Sequence, residues 1–122
     1  MYNQVDSRQF YIALNIAQRK NPLIKDMVHL YTPIEYSNMR CYLSRDNASG
    51  YAIKDGDLVS VFSLVKGRGT DLVISAKKSG ANRLDCFDGY LVSLYSKLAF
   101  KEYKRELNWV VGEPDVVYMQ LI

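Results

Sequence analysis

The residues whose types and spacing most clearly suggest a chemical function form a basic loop with two glycines, residues 66–70 (KGRGT). The loop directly follows the apolar stretch 58–63, and apolar residues at helical spacing follow it over 72–76. Backbone N–H groups at a helix N-terminus have no intrahelical partner and lie at the positive end of the helix dipole. Glycines allow a phosphate to approach such N–H groups closely. The pattern therefore predicts an anion-binding loop, although an ordinary turn would have a similar composition.

The positive charge of the chain is concentrated around that loop. The sequence has 16 Lys and Arg residues against 13 Asp and Glu residues, which gives a net charge of +3. Residues 66–105 hold nine of the basic and four of the acidic side chains, whereas residues 106–122 hold three acidic and no basic ones. A phosphate-bearing ligand would be attracted to the basic segment. A solvated basic face is the plainer interpretation of the same charges.

Few other residues offer chemistry at a defined spacing. His29 is the only histidine and lies in a short apolar segment, so we interpret it as a structural residue. Cys41 and Cys86 are too few for a disulfide framework, and without a Cys-x-x-Cys motif we expect no metal site. The sequence begins without the basic and apolar regions of a secretory signal. Together with the two cysteines, this indicates a protein of the reducing cytoplasm.

Length and composition place the chain among globular proteins. Its 122 residues correspond to one domain spanning 1–122, with a core of useful size. Hydrophobic residues make up 48% and charged residues 24%, which excludes disordered and low-complexity classes. No apolar run is long enough to cross a bilayer, so we expect no membrane partner.

Turn and capping signals predict the elements that hold the loop in place. The first half is predicted to contain a helix over 7–18, a strand over 28–31, a helix from Thr32 that includes Met39, Tyr42 and Leu43, and a hairpin of strands 51–54 and 58–63. The second half is predicted to contain a helix over 72–77, a strand over 83–87, a helix of about ten residues after Asp88, and strands over 100–109 and 116–121. The order predicts a mixed α/β sheet with a parallel pair in its middle and helices on both faces.

The run from Leu58 to Phe100 resembles the core of the GNAT family of N-acetyltransferases. The acyl-CoA loop of that family reads Arg/Gln-x-x-Gly-x-Gly/Ala, which residues 66–71 (KGRGTD) match in part, with Gly69 at the first glycine. Asp71 stands where the family has glycine or alanine. Residues 95–100 (YSKLAF) are similar to the family signature Tyr-x-Lys-x-Gly-Phe, with Ala99 in place of the glycine. The short chain is similar to small acetyltransferase-like proteins carried by bacteriophages. This similarity implies that the protein is located in the cytoplasm of the host.

The resemblance implies a mixed α/β (α+β) fold with an acyl-CoA cleft between two splayed parallel strands. It implies acetyl-CoA as cosubstrate, no metal, and direct attack on the thioester by an amine of unknown class. Tyr95 is the implied general acid for the departing thiolate, and Asp85, on a strand facing the cleft, is a candidate base. The candidate acyl-CoA contacts are Ser63, Leu64, Val65, Lys66, Gly67, Arg68, Gly69, Thr70, Asp88 and Lys97.

Each candidate side chain also has a structural interpretation. Tyr95 has the spacing of an aromatic core residue, and Asp85 could be a hydrogen-bonded carboxylate at a strand edge. Asp88 is most simply the N-cap of the following helix. Lys97 is most simply a surface lysine.

A second functional hypothesis uses the same fold without catalysis. A carboxylate beside a diphosphate site is repulsive, so Asp71 favours a GNAT-like phage protein that has lost acyl-CoA binding. Such a protein would bind a host protein or nucleic acid through the basic segment 66–105. The scaffold also allows a homodimer.

Overall fold

A computed structural model describes residues 1–122 and contains one seven-stranded sheet. The strands are β1 Tyr2–Val5, β2 Arg40–Ser44, β3 Ser49–Lys54, β4 Asp57–Ser63, β5 Arg83–Phe87, β6 Phe100–Glu106 and β7 Val116–Leu121. The helices are α1 Ser7–Lys20, α2 Pro22–Met27, α3 Pro33–Tyr36, α4 Gly69–Lys78 and α5 Tyr90–Lys97. None of them combines the length and the apolar character that a membrane crossing requires.

The order of strands in the sheet is β1-β2-β3-β4-β5-β7-β6. β4 and β5 are parallel, and every other neighbouring pair is antiparallel. The predicted mixed sheet with a parallel pair in its middle is therefore confirmed. Parallel neighbouring strands need a crossover connection longer than a hairpin turn, and α4 provides that connection between β4 and β5.

A two-residue turn joins β3 to β4, as the sequence predicts. Asp55 and Gly56 both have positive φ angles, 50° and 87°, which is the backbone of a type I′ turn. The Gly56 carbonyl then accepts hydrogen bonds from the N–H groups of Asn82 and Arg83, where β5 begins. The turn therefore also fixes the start of β5 beside the start of β4.

Helices cover both faces of the sheet, and each face has its own hydrophobic core. One core includes Leu72, Val73 and Ala76 of α4 and Tyr95 of α5. The other includes Phe10 and Leu14 of α1, Ile24 of α2 and Tyr36 of α3. Helix α1 begins with the capping box of Asp6 and Gln9, so its predicted start is confirmed.

The segment between α1 and β3 differs from the prediction. Residues 28–31 form an extended loop rather than a strand, and the short helix α2 precedes them. The capping box of Thr32 and Glu35 is present, but its helix ends after one turn at Tyr36. The predicted helical residues Tyr42 and Leu43 instead lie in β2.

The cause lies in the position of β2 between β1 and β3. Tyr42 points into one hydrophobic core, whereas Cys41 and Leu43 point into the other. A strand that is buried on both faces has consecutive apolar residues, and a short run of them cannot be told from a helix by periodicity. Strand β1, which the sequence does not predict, pairs with the outer edge of β2.

Two boundaries near the C-terminus are also shifted. Gly89, with a φ angle of 142°, caps α5, so the prediction of Asp88 as N-cap is wrong. The Asp88 carboxylate instead binds Arg105 of β6 at 2.6 Å. Strand β6 ends at Glu106 rather than at 109.

We expect Ala99→Gly to raise the free energy of unfolding by about 1 kcal/mol. Ala99 is exposed and has a φ angle of 75° between α5 and β6. This left-handed conformation costs a non-glycine residue about 1–2 kcal/mol, part of which the entropy of an unfolded glycine offsets. Denaturant unfolding would measure the change.

Ala13→Gly is the matched control, because Ala13 lies inside α1. There the same substitution is expected to lower the free energy of unfolding by about 1 kcal/mol. A loss of stability in both variants would contradict the assigned backbone strain at Ala99.

Candidate active site

The central feature of the site is the separation of the two parallel strands. β4 and β5 are paired only at Asp57 and Arg83, where both strands begin. At that end the Arg83 Nε atom lies 2.9 Å from the Asp57 Oδ1 atom, and its Nη2 atom donates to the Asp55 carbonyl. Beyond this clamp the strands diverge. The predicted cleft between splayed parallel strands is therefore present.

A β-bulge interrupts β4 along the edge of this cleft. The register with β3 shifts so that Ser60 and Val61 together oppose Tyr51. Ser60 has a φ angle of 53°, a left-handed conformation that is rare for a residue other than glycine. A bulge leaves its extra residue outside the regular ladder of hydrogen bonds. The bulge therefore changes the direction of β4 beside the cleft.

A cavity of about 540 Å³ occupies the space between the strands. Hydrophobic residues make up 15 of the 19 that line it. The four others are His29, Ser60, Asp85 and Glu106. The cavity reaches both faces of the sheet, because its lining includes Leu91 from one hydrophobic core and Val28 from the other.

The loop between β4 and α4 has a row of free backbone donors. The N–H groups of the six residues 66–71 donate no hydrogen bond within the protein. The first N–H group of the helix with a partner is that of Leu72, which donates to the Arg68 carbonyl. These unpaired donors lie at the positive end of the α4 dipole, which is the arrangement that binds anions.

The two glycines of the loop have different surroundings. Gly67 has a φ angle of 85°, and a side chain at its position would meet no atom within 4 Å. A Cβ atom at Gly69 would lie 3.1 Å from the Leu94 Cδ2 atom of α5. Gly67 therefore allows the turn, and Gly69 allows α4 and α5 to approach each other.

The two amides that precede the loop have partners within the protein. The Leu64 N–H group donates to the Ala48 carbonyl, and the Val65 N–H group donates to the Ser63 hydroxyl. These two amides are therefore already bound within the protein. The backbone groups open to an anion start at Lys66.

The Arg68 side chain is also committed within the protein. Its Nη2 atom lies 2.7 Å from the Asp46 Oδ2 atom, and its Nη1 atom donates to Asp46 and Ser49 at 3.0 Å each. The guanidinium holds the pKa of Asp46 far below its usual value. Arg68 therefore fastens the loop to the β2–β3 turn, and its charge is largely compensated.

The other charged candidates lie on the surface. Lys66 and Lys97 are exposed and make no ion pair, and neither lines the cavity. Asp71 is exposed in the first turn of α4, and Thr70 is its exposed neighbour. Asp88 is held by Arg105, outside the cavity lining.

Tyr95 lies deep in the cavity wall. Its side chain is buried, and its ring packs edge-on against Phe100 at 5.8 Å between centroids. The hydroxyl makes no hydrogen bond within the protein. Because every fully buried polar side-chain atom does have a hydrogen-bond partner, this hydroxyl is not fully buried, and Tyr95 lines the cavity. The hydroxyl is therefore reached from the cavity. Burial raises the pKa of Tyr95 far above its usual value, so the phenol stays protonated.

Asp85 presents a carboxylate without a partner. It lies on β5 in the cavity lining and takes part in no ion pair or side-chain hydrogen bond. Partial removal from water, together with the negative charge of Asp57, raises the pKa of Asp85 above its usual value. Such a carboxylate has a stronger tendency to take up a proton than one in free solution.

Comparison with known proteins extends these observations. No protein-family model matches the chain, and no curated protein sequence matches it. Among solved structures, a spermidine N-acetyltransferase, SpeG from Vibrio cholerae, has a TM-score of 0.65 and is 10% identical, covering 100% of this chain and 94% of its own. A ribosomal-protein-alanine N-acetyltransferase from Brucella melitensis has a TM-score of 0.60 and 16% identity, covering 100% and 99%. The protein yncA from Salmonella typhimurium, solved with acetyl-CoA, has a TM-score of 0.61 and 14% identity, covering 99% and 92%.

The chain has the GNAT fold. The likeness spans nearly the whole chain. The resemblance that the sequence shows over 58–100 is thus confirmed at the level of the fold. The identities are too low to carry over the activity of any neighbour.

Several lining residues of this GNAT fold are absent from the sequence-based candidates. They come from the loop after α2, from the end of β6 and from β7, and they are His29, Tyr31, Glu106, Leu107, Trp109 and Tyr118. The interpretation of His29 as a structural residue is incomplete, because its exposed ring lines the cavity. No group of three or more His, Cys, Asp or Glu residues is arranged to hold a metal ion.

A buried hydrogen-bond network fixes the loop 28–32 against the bulge. The Ser60 hydroxyl donates to the His29 carbonyl at 2.9 Å and lies 2.7 Å from the Tyr36 hydroxyl. The Tyr36 hydroxyl in turn accepts a hydrogen bond from the Tyr31 N–H group at 3.1 Å. Burial raises the pKa of Tyr36 to about 12, so it remains a donor. The network therefore joins one cavity wall to β4.

We expect Tyr36→Phe to lower the free energy of unfolding by about 2 kcal/mol. The substitution removes the partner of the Tyr31 N–H group and one partner of the buried Ser60 hydroxyl. Urea unfolding would measure it. The control is Tyr31→Phe, whose hydroxyl makes no hydrogen bond and whose effect should stay within about 0.5 kcal/mol. Equal losses in the two variants would rule out the network as the source of the stability.

Proposed function

We propose that the protein is an acyl-CoA-dependent N-acyltransferase that transfers acetyl from acetyl-CoA to an amine. The observation that carries the proposal is the row of six unpaired N–H groups over 66–71, which follows β4, the strand whose residues 58–61 line the cavity. A loop of this kind fits a diphosphate, and the adjacent gap fits the extended chain that carries a thioester. The similarity to yncA, which was solved with acetyl-CoA, supports the choice of cosubstrate.

In this proposal, binding of the diphosphate depends mainly on backbone dipoles. The amides of residues 66–71 lie at the N-terminus of α4 and have no partner within the protein that an anion would have to displace. Lys66 is exposed, has no ion-pair partner and adds one mobile positive charge. The Arg68 side chain is bound to Asp46, so it positions the loop rather than the ligand. Asp71 opposes the interaction, which a surplus of amides can offset.

The reaction joins the amine nitrogen to the acetyl carbon and breaks the carbon–sulfur bond. Asp85 is the proposed base that takes the proton which the acceptor nitrogen loses, because its carboxylate has no other partner in the cavity. The bulge at Ser60 and Val61 interrupts the hydrogen-bond ladder and supplies a backbone donor for the oxygen of the tetrahedral intermediate. No metal is needed for any of these steps.

Tyr95 is the proposed partner of the departing thiolate. Its hydroxyl is protonated and makes no hydrogen bond within the protein, and its side chain is buried in the mostly hydrophobic lining of the cavity. Burial makes the phenol a weaker acid but keeps its proton in place, so the hydroxyl is a donor that faces the sulfur, and the proton passes to sulfur as the carbon–sulfur bond breaks. Asp85 then releases the proton that it took up, and Tyr95 regains a proton from solvent. A neutral amine and acetyl-CoA thus give an amide and the free thiol with no net change in protons, and an amine that enters as an ammonium ion releases one.

The loop assignment predicts that acetyl-CoA raises the melting temperature and that Gly69→Glu abolishes this shift. A ligand that binds only the folded state stabilises it by mass action. A glutamate at Gly69 adds a negative charge at the N-terminus of α4, which opposes an anion bound to the amides there. Gln120→Glu is the control, since this exposed residue pairs with Arg83 at the clamped end of the sheet.

The melting temperatures of the unmodified protein, the Gly69→Glu variant and the Gln120→Glu variant, each with and without acetyl-CoA, measure binding. A full shift in the Gly69 variant would contradict the loop assignment. No shift in the unmodified protein would instead favour a GNAT fold that binds a protein or nucleic acid without catalysis.

For Tyr95→Phe we expect kcat to fall by about a hundredfold while the affinity for acetyl-CoA stays nearly unchanged. The ring and its packing against Phe100 remain, and only the hydroxyl is lost. Release of free thiol would measure turnover, and the thermal shift would measure binding. Tyr11→Phe, outside the cavity lining, is the control. Unchanged turnover in the Tyr95 variant would mean that water protonates the sulfur.

A further inference from the structure

We propose that the acceptor is a primary amine with a single positive charge carried on an apolar body. The proposal rests on the proposed N-acyltransferase function and specifies the substrate class of the same site. It follows from three properties of the cavity, namely the sign of its charges, the number of free charges and the exposed apolar residues at its mouth.

The permanently charged groups of the cavity lining are carboxylates. They belong to Asp85 and Glu106, and no lysine or arginine is among the 19 lining residues. A carboxylate or phosphate on the acceptor would therefore have no cationic partner in a mostly apolar cavity, and burying an unpaired charge is costly. An ammonium group has the opposite sign and is attracted.

Only one of these carboxylates is free to bind an ammonium group. Glu106 accepts a hydrogen bond of 2.6 Å from the Tyr118 hydroxyl, and the Lys104 ammonium lies 3.7 Å from its other oxygen. Asp57, the nearest carboxylate outside the cavity, is paired with Arg83. Asp85 has no such partner. The site is thus built for one ammonium group, and a polyamine would leave further charges without partners.

The apolar body is inferred from the segment after β6. Leu107 and Trp109 line the cavity, yet they are 84% and 87% exposed. Large apolar side chains that flank a cavity and remain exposed are typical of a surface that a ligand covers. Trp109 also offers an aromatic face to a cation, an interaction that is strongest with tryptophan. An acceptor with an apolar group next to its ammonium would cover both residues.

Two sources provide this chemistry. One is a free arylalkylamine, and the other is the N-terminus of a peptide whose first side chain is apolar. Both place an ammonium beside an apolar group. The test therefore includes phenethylamine and a short peptide beginning with phenylalanine.

Trp109 is the only tryptophan, so its fluorescence reports directly on the cavity mouth. The probes are phenethylamine, phenethyl alcohol, hydrocinnamate and spermidine, titrated in the presence of CoA. We expect phenethylamine to bind about tenfold or more tightly than the alcohol and the acid, because a hydrogen bond to a charged group contributes that much. Spermidine should be no better than the alcohol. Preference for the acid or for spermidine would overturn the proposal.

Two variants separate the charge from the apolar contact. Asp85→Asn should reduce phenethylamine binding about tenfold and leave phenethyl alcohol unaffected. Leu107→Ser should weaken both probes by a similar factor. Asp26→Asn is the charge-matched control, because Asp26 is exposed, unpaired and outside the cavity lining. Unfolding measurements on each variant exclude a loss of fold. An Asp85→Asn variant that binds phenethylamine normally would overturn the role of the carboxylate.

The outcome can be told apart from failure of the proposed function. If acetyl-CoA gives no thermal shift, the acyltransferase proposal fails regardless of the amine results. If acetyl-CoA binds but the probes show no preference for a single ammonium on an apolar body, only the acceptor proposal fails. Among amines that bind, turnover of the free amine but not of the peptide, or the reverse, identifies the source.

Discussion

The structure depends on two parallel strands that are fastened at one end and separate at the other. Arg83 ties β5 to Asp57 of β4, and the amides at the start of β5 bind the turn before β4. Beyond this point the bulge at Ser60 turns β4 out of register. The cavity, the position of Asp85 and the direction of the loop into α4 all follow from the divergence. A regular β4–β5 ladder would leave no space for any of them.

The elements that the sequence predicts well are those specified by local turn chemistry. Asp55 and Gly56 allow a left-handed turn wherever they occur, so the hairpin could be found without knowledge of the rest. The failures lie where tertiary packing overrides the local pattern. The helix from Thr32 has a sound capping box, yet β2 takes over residues 40–44 because they must fill both cores. No local signal records that a strand will be buried on both faces.

The site shows the same division between local and distant information. The glycine loop before α4 and the position of Tyr95 are predictable, because a glycine pattern and a short motif indicate them. The Arg68 side chain was assigned to the ligand, but its partner Asp46 is 22 residues earlier in the chain. Residues such as Trp109 enter the cavity only through the pairing of β6 with β7. Sequence spacing contains no measure of either encounter.

The unpaired edges inside the sheet also bear on self-association. A strand with free N–H and C=O groups is normally a template on which another chain can add, and proteins protect such edges with charges or covering loops. Here the unpaired edges of β4 and β5 face each other across an internal gap rather than lying at the rim of the sheet. The gap therefore adds no strand edge to the rim, where β1 and β6 are the edge strands. The fold thus holds unpaired backbone groups inside the sheet without lengthening the edge on which another chain could add.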